Sequence, residues 1–122
     1  MSKSGIIIEV ELDLVKGETA DIHRAMDKYL SRRISTQPLT MPNSGSIFKN
    51  PEGHSAGKII ESVGLKGYQI GGAGISIKHA NFIVNKGNAS AKDVIQLIKH
   101  IQTVVEDKTG TKLEQEIVII GQ

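Results

Sequence analysis

A chain of 122 residues suits one domain with its own core and is too short for two. Fifteen basic and thirteen acidic side chains are interspersed, a net charge of +2, which argues against a nucleic-acid surface or a strongly charged partner. The absence of cysteine excludes disulfides, thiolate metal sites and cysteine nucleophiles and suits a reducing, cytoplasmic setting. No apolar run approaches the roughly 20 residues of a membrane-spanning helix, and the polar Met1-Ser2-Lys3-Ser4 start is no secretory signal.

Residues 6–14 read Ile-Ile-Ile-Glu-Val-Glu-Leu-Asp-Leu, and the alternation from Ile8 onward predicts a strand with one wet face. Lys16-Gly17 turns the chain. Thr19 is placed to cap a helix whose apolar positions Ile22, Met26, Tyr29 and Leu30 recur at helical spacing. Arg32 and Arg33 close it, at the negative end of the helix dipole. Residues 35–51, with Pro38, Pro42 and Pro51, predict a long loop, and long ordered loops carry function disproportionately.

Within that loop lies Asn43-Ser44-Gly45-Ser46-Ile47-Phe48-Lys49-Asn50-Pro51. Gly45 permits a tight path and Pro51 biases Asn50 away from the α region, so Ser46 is a hydroxyl at a bend with Lys49 and Asn50 nearby. By residue types alone, an ordinary Ser/Asn/Gly loop is the simpler reading. His54 or Ser55 then caps a short helix, Ala56 to Val63, ended by Gly64. Its small first residues, Ala56 and Gly57, permit close approach of a neighbouring element or a ligand.

Five glycines between 64 and 74 exclude a regular helix and predict a loop and a kinked strand. Neither Gly71-Gly72-Ala73-Gly74 nor the stretch from Gly53 to Lys58 has phosphate-loop spacing, so both fail as nucleotide signals. Phe82-Ile83-Val84 predicts a buried strand, followed by an Asn85–Asn88 turn. Ser90 and Asp93 form a capping-box-like start to a helix reaching about Lys108, with a wide stripe from Val94 to Val105, and Gly110 stops it.

The last predicted strand, Lys112 to Ile120, sets Glu114 and Glu116 on one face and Leu113, Gln115, Ile117 and Ile119 on the other. Glu116 abuts the apolar run, where burial would suit it to act as an acid; a solvated strand end is the plainer alternative. The histidines at 23, 54, 79 and 100 share no ligand spacing, so no metal site is expected. The elements together predict an α+β fold, a small mixed or antiparallel sheet with about three helices packed on it, spanning residues 1–122 as one domain.

An ordered set of motifs runs through most of this chain: Gln37-Pro38, Gly45-Ser46-Ile-Phe-Lys49-Asn50-Pro51, Ala56-Gly57-x-Ile-Ile-Glu61, Gly64-Leu65-Lys66-Gly67, Gly71-Gly72-Ala73, Lys78-His79-Ala80-Asn81-Phe82, Leu113-Glu114-x-Glu116 and Ile120-Gly121. In this order it resembles, over essentially the whole chain from the predicted Ile6 strand onward, the C-terminal domain of the UDP-N-acetylenolpyruvoylglucosamine reductase (MurB) family, flavoenzymes of bacterial peptidoglycan precursor synthesis. The resemblance implies an oxidoreductase in which N-terminal domains hold FAD, NADPH is the reductant, and this domain closes over UDP-N-acetylglucosamine enolpyruvate. It implies that Ser46 donates the proton and that Glu116 assists at the developing enolate. Lys49, Asn50 and His79 are the implied substrate contacts, with His79 standing where some relatives place a glutamine. No nucleic acid, membrane or metal enters, and no cofactor site is expected within this chain. Without flavin domains the chain is expected to be an inactive substrate-binding fragment. The alternative is a stand-alone UDP-sugar-binding or regulatory module without redox activity.

Overall fold

The computed structural model describes residues 7–121. Three helices and a four-stranded antiparallel sheet give the α+β fold that the pattern predicts. Helix α1 spans Thr19–Thr36, strand β1 Asn43–Ser46, helix α2 Ala56–Ser62, β2 Gln69–Ile70, β3 Ala73–Ile75, β4 Phe82–Asn85 and helix α3 Ala91–Thr109. The strand order is β1-β4-β3-β2.

Helix α3 is fixed by local chemistry at both ends. The Ser90 side chain accepts from Asp93 N while Asp93 accepts from Ser90 N, a complete capping box, and Gly110 ends the helix in the left-handed region at φ 71°. Those bonds hold the Asp93 carboxyl below the usual carboxylate range, the Ser90 backbone N–H contributing most. The stripe then buries Leu97, Ile98, Ile101 and Val105. They meet Ile47, Phe48, Ile60, Ile75, Ile83 and Leu113 in an aliphatic core with one central aromatic. Burying each such side chain contributes about 1.5–3 kcal/mol.

The glycine-rich stretch folds as a hairpin, β2 and β3 joined at Gly71-Gly72, rather than as a loop with a kinked strand. Its glycines serve packing. A Cβ on Gly71 would fall 2.5 Å from the Asp93 carboxylate, and one on Gly72 would strike the Gly87–Ala89 backbone. The hairpin is therefore pressed onto the turn that leads into α3.

Four expectations need correction. Residues 7–14 form no strand: a strand needs a partner for its backbone groups, and among the described residues none lies beside this segment. Ile6, its first residue, lies outside the described residues. Helix α1 is capped at Glu18 rather than Thr19 and runs three residues past Arg33. Gln37, extended at φ −114° and ψ 149°, ends it before Pro38 as the proline requires. The long loop is thereby shortened at one end and interrupted by β1. Residues 112–120 make one antiparallel bridge, Phe48 opposite Gln115, instead of a full strand. Across 113–117 the period of two holds, with Leu113 buried and Glu114 and Glu116 exposed.

Candidate functional site

The Ser46 motif is the inner member of a three-part backbone arrangement. Strand β1 pairs with β4 through Ser46 opposite Phe82, across a bulge at Gly45, which takes φ +80°. Beyond Ser46 the segment 47–49 is held on both edges. On one edge Glu116 N donates to Ile47 O at 2.8 Å and Lys49 N to Glu114 O at 2.9 Å. On the other, the Asn81 side chain substitutes for a strand: its Oδ1 accepts from Phe48 N at 3.0 Å and its Nδ2 donates to Phe48 O at 2.8 Å. Ile47 N donates to Asn81 O at 2.9 Å. Phe48 is 1% exposed and Asn81 4%, so leaving either Phe48 group unpaired would cost about 1–3 kcal/mol.

This arrangement brings Ser46 and Glu116 onto adjoining chain segments. Ser46 is half-buried, while Glu116 is exposed, so the burial expected of it is absent in this chain. Lys49 is exposed and forms an ion pair with Glu114. The Asn50 amide oxygen accepts from Ala56 N at 3.0 Å, pinning the entry to α2. Ser55 provides the α2 cap through Lys58 N.

His79 lies on the far side of Phe82, ring centroids 4.7 Å apart. Its Nδ1 accepts from Asn81 N at 3.2 Å. Burial, and then the positive charge of Lys66, push its pKa below the ordinary histidine value. A neutral imidazole with Nδ1 as acceptor carries its proton on Nε2, and so presents a donor. Gly57 makes room for it: a Cβ there would fall 3.1 Å from His79 Cε1 and 3.6 Å from Asn81 Cβ. Here the small residues at the start of α2 admit a neighbouring element.

His79 also borders a cleft of about 820 Å³ between the C-terminal end of α1 and α2. Arg32, Arg33, Lys58, Lys66 and Lys78 line it against one carboxylate, Glu61. Glu61 is paired with Lys66 at 2.7 Å. The rest of the sequence then holds ten basic and twelve acidic side chains, so the positive charge of the protein is concentrated here. The sequence reading missed this cleft because its cations come from three separate segments, and it assigned Arg32 and Arg33 only to the helix dipole. Asn81 was visible as a polar residue opening a buried strand. Ser46, Lys49, Asn50 and Glu116 lie outside the cleft lining, so the candidate residues form two neighbouring groups joined through Asn81 and Phe82.

The family model described as UDP-N-acetylenolpyruvoylglucosamine reductase, C-terminal domain, matches residues 37–120. The chain belongs to this family. A UDP-N-acetylenolpyruvoylglucosamine reductase of Clostridium perfringens is 47% identical over 122 residues, all of this chain and 40% of the relative. One from Oceanobacillus iheyensis is 49% identical over 120 residues, covering 98% of this chain and 39% of that protein. The crystal structure of the MurB reductase from Thermus caldophilus superposes with a TM-score of 0.71 at 38% identity, over 85% of this chain and 37% of that one. This chain thus spans about two fifths of the length of the reductases it matches. The family match begins at Gln37, next to the first buried residue, Pro38, and every described residue before it is exposed.

Proposed function

We propose that this chain is the substrate-binding and proton-donating part of a UDP-N-acetylenolpyruvoylglucosamine reductase. The reaction is reduction of UDP-N-acetylglucosamine enolpyruvate to UDP-N-acetylmuramate with NADPH through FAD, in cytoplasmic peptidoglycan precursor synthesis. In this reading the hydride source belongs to the part of the relatives' length that this chain does not span.

The chain's own share is the substrate and the proton. Reduction adds a hydride to one alkene carbon and a proton to the other, and the negative charge that builds between these events spreads onto the substrate carboxylate. The Ser46 hydroxyl gives its proton to the carbanionic carbon and regains one from solvent. Glu116 assists at the developing enolate once substrate and the rest of the protein cover a side chain that is exposed here. Lys49 and Asn50 adjoin Ser46 for substrate contact, and His79 lines the cationic cleft, whose charge suits the substrate diphosphate.

The single observation that supports this reading is the 47–49 segment held between Asn81 and residues 114–116, with Glu116 N donating to the carbonyl of Ile47, the residue after Ser46. The test is a hybrid in which this chain replaces the matching two fifths of the Clostridium perfringens relative. The folded hybrid should consume NADPH only when the enolpyruvyl substrate is present, and the chain alone should not. A folded, flavin-loaded hybrid without substrate-dependent turnover contradicts the proposal. Calorimetry on the chain alone should give weak or no binding of the UDP-sugar, because the remaining wall of the site is missing. Micromolar binding would favour the stand-alone binding module instead.

A further inference from the structure

The Asn81 amide is placed as a peptide group of a neighbouring strand would be, but as a side chain. Phe48 lies opposite Gln115, so its own N–H and C=O point away from residues 114–116 and toward Asn81. The backbone ladder between β1 and β4 has ended one pair earlier, at Ser46 and Phe82. Asn81 continues it by one step with both an acceptor and a donor. Its backbone N–H meanwhile donates to His79 Nδ1, and its C=O accepts from Ile47 N.

One residue therefore fixes three things: the extended path leaving Ser46, the register of that path against Glu116, and the proton position on His79. We infer that Asn81 is a positioning residue for the proposed reaction, aligning Ser46 with Glu116 and orienting His79, without itself touching substrate. The inference rests on the proposed roles of Ser46 and Glu116. Aspartate at this position keeps the acceptor for Phe48 N but sets an oxygen against Phe48 O. It should let the segment shift while leaving the core filled. A displacement of about 1 Å at a reacting group slows a reaction by roughly 10²-fold.

The test has two arms. In the unmodified chain, the Phe48 amide should resist hydrogen exchange as strongly as the α3 core amides; free exchange there would overturn the inference whatever any variant does. In a full-length reductase carrying this chain, Asn81→Asp should lower kcat by roughly 10- to 100-fold per folded molecule, with a smaller change in KM. Combining it with Ser46→Ala should add little to the loss from Ser46→Ala alone. A folded Asn81→Asp enzyme with normal kcat, or a double variant whose losses multiply fully, would overturn the positioning role. With Ser46→Ala still slow, that result leaves the proposed function standing. Normal turnover in Ser46→Ala instead contradicts the proposed function itself, and with it the inference.

Discussion

His79 shows how a side chain's chemistry follows from its neighbours. Burial comes first, then Lys66, and both favour the neutral imidazole. Its titration should therefore fall below the ordinary histidine value of about 6.5, measured by NMR of the ring. As pH drops below that ordinary value, the unfolded chain takes up its proton first. Stability should decline between the ordinary and the lowered value and be insensitive to His79 above it. A midpoint at or above the ordinary value would contradict the half-buried, Asn81-bonded ring. The sequence supplied the types and order of the candidate residues, but not their partners. Asn50 is adjacent to Lys49 in sequence, yet its amide oxygen is committed to Ala56 N. Glu116 follows a strand-like pattern, yet none of the described residues covers it. The contact between Asn81 and Phe48 joins positions 33 residues apart, and no local spacing encodes it.

At the scale of elements, legibility tracks how local the determinants are. Helix α3 carries its own cap, stripe and stop, so it is readable from sequence alone. The alternation at 7–14 is equally regular, but a strand is completed by a partner, and this chain supplies none among its described residues. The glycines of the β2–β3 hairpin read as breakers, while their reason is the crowding by Asp93 and residues 87–89. Helix α1 buries no residue and leaves Met26, Tyr29 and Leu30 more than half exposed. Removing residues 1–36 should accordingly leave the melting temperature within about 3 °C, a change of less than about 0.5 kcal/mol. The cationic cleft would lose one wall. A fall of more than about 10 °C on thermal denaturation would show that α1 contributes to the core after all.

For the whole molecule, the folded core runs from Pro38 to Leu113 and coincides with the stretch that defines the family. That core holds segment 47–49, just after Ser46, between two neighbours, and the proposed proton donor would draw its preorganisation from them. In the proposed function this segment delivers the proton while electrons come from elsewhere in the protein. Stopped-flow measurement on a full-length reductase carrying this chain separates the two. With Ser46→Ala, reduction of the enzyme by NADPH should proceed at its normal rate. Reoxidation by UDP-N-acetylglucosamine enolpyruvate should slow by roughly 10²-fold or more. Glu116→Gln should impair the same half-reaction. Normal reoxidation in both variants, or loss of the NADPH step instead, would contradict the account.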